Sequence, residues 1–164
     1  MTTLKEIESV LYDYAIATTG KKWIFASAEE APPLPYGKIE ILSLRQLGTE
    51  TGTQNEVLAD DFKSSADALF LITYQFMMIG DGAMQTVLDL MNKSNLQQYS
   101  DMLKVGGLGF NTFGGIQDLT GLDFDKVRER AVTEININAV LTAEETVPFI
   151  KTVEIEYVPE NQQT

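Results

Sequence analysis

The chain has 164 residues, the size of one domain, and its 44% hydrophobic and 22% charged residues are typical of a globular protein. A formal net charge of −12 argues against a nucleic-acid or anionic-membrane surface, because such surfaces need clustered Lys and Arg. The absence of Cys and His excludes disulfides, thiolate metal sites and histidine general bases.

The first predicted element is a helix over residues 3–18, with apolar side chains at three- and four-residue steps. Thr3 and Glu6 have the spacing of a capping box, and Gly20 stands where a left-handed helix terminus is expected. The repeated apolar residues are Leu4, Ile7, Leu11 and Tyr14.

Two strands are predicted next, over residues 22–26 and 38–47. The proline-rich connector between them, residues 31–37, has to be extended and outside any central ladder. In the second strand, strict alternation puts Ile39 and Ile41 on one face and Leu42 and Leu44 on the other. Apolar residues on both faces indicate a strand covered on both sides, or covered on one side by a neighbouring subunit.

Residues 48–55 contain no large apolar side chain and predict a flexible tip or hairpin loop. Residues 56–65 have no clear pattern. Residues 68–79 predict the strongest strand, with one side entirely apolar and the other mixed. This longest apolar stretch is too short and too interrupted to span a bilayer, so no membrane partner is expected.

A second helix follows, with Asp81 as its predicted cap, and a short third helix ends before Gly106. The second helix is expected to bury one apolar stripe, formed by Met84, Val87, Leu88 and Met91. Period two then returns in three predicted strands, residues 108–119, 128–141 and 152–158.

This order predicts an α+β fold, a mostly antiparallel (mixed) sheet with helices packed on one face. We expect one domain over residues 1–158 and a polar tail over residues 159–164.

The sequence offers little for catalysis. Gly106 and Gly107 follow a helix and lead into a strand, the opposite polarity to a phosphate-binding loop. Asp118, Asp123 and Asp125 are the best candidates for a metal site, but acids are frequent in an acidic chain and a solvated face is the preferred interpretation. We therefore predict no catalytic, cofactor-binding or metal-binding residue, with a metal-dependent hydrolase as a remote alternative.

The run Arg128-Glu129-Arg130 opens the long predicted strand. Alternation places both arginines on the polar face and Glu129 on the side of Ala131 and Ile135. The run is either a surface ladder worth under about 1 kcal/mol or a contact with a neighbouring subunit.

The order of several segments along the chain is similar to that of a known family. In the first half, the N-terminal helix is followed by Pro32-Pro33-Leu34-Pro35-Tyr36 before strand 39–47, and then by Gly52-Thr53-Gln54. In the second half, strand 70–79 ends at Gly80 before helix 83–91, and it is followed by Gly115-Ile116-Gln117-Asp118-Leu119-Thr120, Phe124, and Arg128-Glu129-Arg130-Ala131 with the strand to Leu141. Together they resemble the neck or tail-terminator proteins of tailed bacteriophages over about residues 3–158. The similarity lies in the order of the segments, none of which is catalytic.

The resemblance implies a structural virion protein, a hexameric ring at the head-proximal end of the tail tube. Its implied partners are further copies of itself, the tail tube protein and the head-completion (connector) protein, with DNA passing through the lumen without specific binding. A head-closure (stopper) ring and a tail-completion adaptor are the alternatives. The implied contact residues are Thr49, Glu50, Thr51, Thr53, Gln54, Arg128, Glu129 and Arg130.

Overall fold

The computed structural model describes residues 3–28, 30–48, 52–57, 61–123 and 126–148. Three helices and nine strands lie in these residues. The helices are α1 (Leu4–Thr19), α2 (Ala83–Lys93) and α3 (Gln97–Val105). The strands are β1 (Lys22–Phe25), β2 (Tyr36–Gln46), β3 (Gly52–Val57), β4 (Asp61–Ile79), β5 (Gly109–Phe113), β6 (Gln117–Asp118), β7 (Gly121–Asp123), β8 (Lys126–Arg128) and β9 (Arg130–Pro148). The strand predicted at residues 152–158 lies outside the described residues.

Seven strands form one mixed sheet in the order β1-β2-β4-β9-β5, with β3 also paired to β4 and β6 to β9. Among the described residues the β1–β2 pair is parallel, and the other strand pairs of this sheet are antiparallel. The separate β7–β8 pair is an antiparallel hairpin. The predicted α+β class with a mostly antiparallel sheet is confirmed.

The core lies between the helices and one face of the sheet. On this face, Ile72, Tyr74, Phe76 and Met78 of β4 are fully buried and belong to one cluster with helix residues such as Leu11 and Val87. On the opposite face, Thr73 and Gln75 are only partly buried and Glu134 is exposed. The prediction of one apolar side and one mixed side for β4 is confirmed.

The first helix follows the sequence closely. Thr3 Oγ1 accepts a hydrogen bond from Glu6 N, and Glu6 Oε2 accepts one from Thr3 N at 2.7 Å, so the capping box is present. Gly20 ends the helix in the left-handed region, with a φ of 65°. These local signals were sufficient because capping depends on residues only three positions apart.

The alternation predicted for β2 is wrong after Ile41. The register moves from Ile41 opposite Tyr74 to Ser43 opposite Thr73, so Leu42 is an extra residue at a β-bulge. Leu44 therefore lies on the same sheet face as Ile39 and Ile41 rather than on the opposite one. Ile41, Leu42 and Leu44 are nevertheless exposed. β1 pairs only with residues 36–39 of β2, so among the described strands this part of β2 is the edge of the sheet.

The loop predicted over residues 48–55 is also partly wrong. Residues 52–55 belong to β3, which pairs with β4 in the same direction as β2 does. The register passes from Gln46 opposite Phe70 to Gly52 opposite Asp67, so β3 continues the path of β2 along β4. We call β3, residues 61–69 of β4 and residues 140–148 of β9 the strand arm.

The second helix is capped and oriented differently from the prediction. Its N-cap is Gly82, which has no side chain that could cap the helix, and Asp81 is exposed. Met84 and Leu88 are exposed, whereas the buried positions are Ala83, Thr86, Val87 and Leu90. The buried face of this helix is therefore rotated relative to the predicted stripe, so that two of the four predicted residues, Met84 and Leu88, face solvent.

Candidate assembly surfaces

The two groups of predicted contact residues lie at opposite ends of the sheet. Thr53 and Gln54 are in β3, opposite Ala66 and Ser65 of β4, whereas Arg130 is opposite Ile79. From Ala66 to Ile79 the strand extends about 40 Å, at about 3.3 Å per residue. Thr49, Glu50 and Thr51 lie outside the described residues. The two groups thus form separate surfaces rather than one site.

The prediction that Glu129 lies on the apolar face of the strand, with Ala131 and Ile135, is wrong. It falls between β8 and β9, and its Oε2 accepts hydrogen bonds from Gly82 N at 2.7 Å and Ala83 N at 3.2 Å. These amides open α2, where the unpaired donors and the helix dipole favour a negative charge. Glu129 therefore replaces the side-chain cap that the sequence assigned to Asp81.

The backbone around Glu129 joins the end of β4 to this junction. Gly80 N donates to Glu129 O at 2.9 Å. Gly80 has a φ of 108°, and a Cβ there would stand 2.9 Å from Pro35 Cα. The end of the proline-rich connector thus packs directly on Gly80, and a side chain at this position would both strain the backbone and clash.

The start of β9 is held by the segment that precedes β7. Arg130 N donates to Thr120 Oγ1 at 3.3 Å, and Leu119 N donates to Arg130 O at 2.8 Å. Asp118 accepts a hydrogen bond from Thr120 N at 2.9 Å, and hydrogen bonding from Thr120 lowers the pKa of the Asp118 carboxyl. Asp118 thus stabilises a turn at the sheet end.

The β7–β8 hairpin presents an apolar pair to solvent. Leu122 and Val127 are directly opposite each other, and their exposed fractions are 80% and 70%. Arg128 closes the hairpin opposite Gly121 and is partly buried. Two large, mostly exposed apolar side chains on one short hairpin are a candidate contact surface.

The strand arm forms a second candidate surface at the other end of the sheet. On its outer face, Lys63 Nζ lies 3.1 Å from Glu144 Oε1, and Thr142 Oγ1 donates to Asp67 Oδ1 at 2.6 Å. Its helix-side face carries an apolar shelf that lines a cavity of about 380 Å³. The shelf comprises Ala66, Ala68, Leu141 and Ala143 of the strand arm and Phe70 next to it on β4.

Among the described residues, no three acidic side chains are close enough together to hold a metal ion. In the same part of the chain, each helix is too short or too polar to cross a bilayer.

The sequence as a whole matches a known protein family. The family described as phage neck terminator protein matches residues 5–161, nearly the whole chain. The chain belongs to the phage neck terminator family. No curated protein matches its sequence.

Membership makes this neck terminator a structural component of the virion neck, associated with other head or tail proteins. The resemblance found in the sequence is thereby confirmed. Sequence reasoning did not find the exposed pair Leu122 and Val127, because each is the single large apolar residue of a three-residue strand, which is too short to show a period.

Proposed function

We propose that this neck terminator forms a ring that ends the tail tube and joins it to the head-completion protein. The family match over residues 5–161 is the observation that carries the proposal. The ring is hexameric, contains copies of this chain, and leaves a lumen through which DNA passes without specific binding. It is assembled in the cytoplasm of the bacterial host.

The placement of the two uncovered surfaces supports a ring. Copies that assemble head-to-tail need two different complementary surfaces, and closure follows if the rotation between copies is a fraction of a full turn. In this chain the apolar shelf lies at one end of the long sheet, and the separate β7–β8 hairpin lies in the chain directly before β9 begins at the other end. A contact between the hairpin of one copy and the arm of the next would bury Leu122 and Val127.

The proposed role needs shape and surface complementarity rather than a reaction centre. Ring closure, contact with the tube and contact with the connector are all binding events. We therefore propose that the protein is not an enzyme and has no cofactor. Turnover of a substrate that is abolished by substitution of Asp118 would favour the hydrolase alternative instead.

Light scattering with and without the tail tube protein tests the ring. We expect a closed multimer of defined mass, at least when the tube is present. A strictly monomeric particle in the presence of both the tube and the connector would contradict the proposal.

The particles that accumulate when the gene is deleted distinguish a terminator from a head-closure ring and from a tail-completion adaptor. Without a terminator, tube polymerisation has no end signal, so over-long tails should accumulate. Filled heads that leak their DNA would indicate the head-closure ring, and normal tails that fail to join heads would indicate the tail-completion adaptor. Electron microscopy of the accumulated particles distinguishes the three.

A further inference from the structure

A groove of about 530 Å³ runs between α1 and the edge strand β1. The helix contributes Lys5, Glu8 and Tyr12, and the strand contributes Trp23, Ile24 and Phe25. The rings of Tyr12 and Phe25 are 5.9 Å apart and form an aromatic floor. The groove therefore combines an apolar base with a strand edge.

The backbone of β1 has an open side. Among the described residues β1 pairs with β2 alone, and Ala26 N continues this ladder by donating to Ile39 O at 2.9 Å. In a parallel ladder alternate residues bond to the same neighbour, so the backbone groups of Trp23 and Phe25 point to the opposite side. Phe25 O already accepts a hydrogen bond from Ala28 N at 3.0 Å, which leaves the N–H groups of Trp23 and Phe25 and the carbonyl of Trp23 on this side. A flanking helix and an open strand edge are the elements used when a peptide adds to a sheet as an extra strand.

The two faces of this edge differ in chemistry. Trp23 and Phe25 are opposite Gly37 and Ile39 and lie on the helix side of the sheet. Lys22, Ile24 and, on β2, Lys38 lie on the outer face, so this face carries two basic side chains around one apolar one. Lys22 is exposed and makes no ion pair with another described residue, whereas Lys38 Nζ contacts Glu40 at 2.9 Å. A strand that fits here needs apolar side chains on one face and acidic ones on the other.

Residues 152–158 have this pattern. Val153, Ile155 and Tyr157 alternate with Thr152, Glu154 and Glu156. We propose that this segment of a second copy of the chain adds as a strand to the edge of β1, with its apolar residues against α1 and its glutamates beside Lys22. The inference rests on the proposed self-assembly and identifies one contact within it.

The strand arm makes an exchange between copies reasonable. The described chain leaves β9 at Pro148, at the end of an arm whose residues 61–69 extend the sheet by about 30 Å at about 3.3 Å per residue. Sixteen residues, 149–164, follow this point. Pro148, the last described residue, lies at the tip of the arm rather than beside the helical layer.

Charge favours the edge of β1 over the chain's own β9. The edge of β9 at residues 139–148 also has no partner strand among the described residues, so a hairpin within one chain is the competing arrangement. However, Glu144 lies on one face of β9 and Glu145 on the other. In a hairpin whose turn directly follows Pro148 and that pairs residues 152–158 along β9, Glu154 or Glu156 would stand opposite or diagonal to Glu144 or Glu145, which destabilises a cross-strand pair.

Cysteine cross-linking tests the contact directly, because the chain contains no native Cys. Purified full-length Lys22→Cys and Glu154→Cys variants are mixed under mild oxidation, each alone serving as a reference. We expect the disulfide-linked heterodimer to exceed, several-fold, the yield from Glu154→Cys mixed with Val105→Cys. Val105 is a suitable control because it is 88% exposed but lies on α3.

A double variant of one chain tests the competing hairpin. Glu144→Cys with Glu154→Cys should give little intramolecular disulfide if the segment docks on another copy. A dominant intramolecular disulfide, with no Lys22–Glu154 heterodimer, overturns the inference.

Charge reversal provides a second readout on the assembly itself. Lys22→Glu should reduce the fraction of multimer, and Lys22→Glu combined with Glu154→Lys should restore it. Light scattering with the tube protein distinguishes failure of the strand exchange from failure of the proposed ring. Closed multimers without the Lys22–Glu154 contact reject only the strand exchange, whereas monomers under every condition reject the proposed ring as well.

Discussion

Glu129 Oε2 lies 2.7 Å from the amide nitrogen of Gly82, although the two residues are 47 positions apart in the sequence. The contact ties the start of β9 to the start of α2. We expect Glu129→Ala to lower the free energy of unfolding by about 1 kcal/mol, the usual effect of losing a helix cap. Glu129→Gln should cost less, because its side-chain oxygen still accepts a hydrogen bond.

Urea unfolding monitored by circular dichroism measures both changes. Glu134→Ala is the matched control, since Glu134 is an exposed carboxylate on the same strand as Arg130 and caps none of the described helices. An equal loss of stability in the control and in Glu129→Ala would contradict the capping role.

The two fully buried tyrosines should respond differently to loss of the hydroxyl. Tyr14 Oη donates to Leu90 O at 2.6 Å, whereas the Tyr74 hydroxyl has no hydrogen-bond partner among the described residues. Tyr14→Phe should therefore destabilise the fold by about 1–2 kcal/mol, because a buried acceptor loses its donor. Tyr74→Phe should be neutral or stabilising, as thermal unfolding of the two variants would show.

Stability should fall at alkaline pH. Burial raises the pKa of the Tyr14 and Tyr74 hydroxyls above the ordinary value of about 10. Above that pH the unfolded chain releases these protons more readily than the folded one, so their contribution is complete below about pH 10 and is lost as the pH rises further. Urea midpoints between pH 8 and 11 test this, and the double Tyr→Phe variant should show a shallower decline.

Gly37 should not tolerate a side chain. A Cβ at this position would overlap the ring of Trp23, which is buried in the core. We expect Gly37→Ala to destabilise the protein by about 1–3 kcal/mol through overpacking. Gly115→Ala is the control, because a Cβ there meets no atom within 4 Å. Similar melting temperatures for the two variants would refute the close contact.

The exposed pair on the β7–β8 hairpin should matter for assembly and not for folding. Leu122→Asp and Val127→Asp should change the free energy of unfolding by no more than about 0.5 kcal/mol, as is usual for surface substitutions. They should reduce multimer formation in the presence of the tube protein. Val105→Asp, at the exposed end of α3, should leave assembly unchanged. Normal assembly in all three variants would contradict a contact role for the hairpin.

The sequence alone determined the elements whose signals are local. The capping box of Thr3 and Glu6, the terminus at Gly20 and the alternation along β4 each depend on residues a few positions apart, and these predictions are confirmed. The order of such elements also sufficed for the fold class and, through the resemblance, for the family.

Only the tertiary structure decided which face of each element is covered and which distant residues meet. The bulge at Leu42 moved Leu44 to the face of Ile39 and Ile41, and residues 52–55 belong to a strand because β4 is long enough to pair with them. Glu129 caps α2 because β9 begins beside that helix, and Met84 and Leu88 are exposed because the helix turns other residues to the sheet. Each of these features depends on residues that are far apart in the sequence, such as Glu129 and Gly82, which are 47 positions apart. The spacing of residues within one segment therefore cannot predict them.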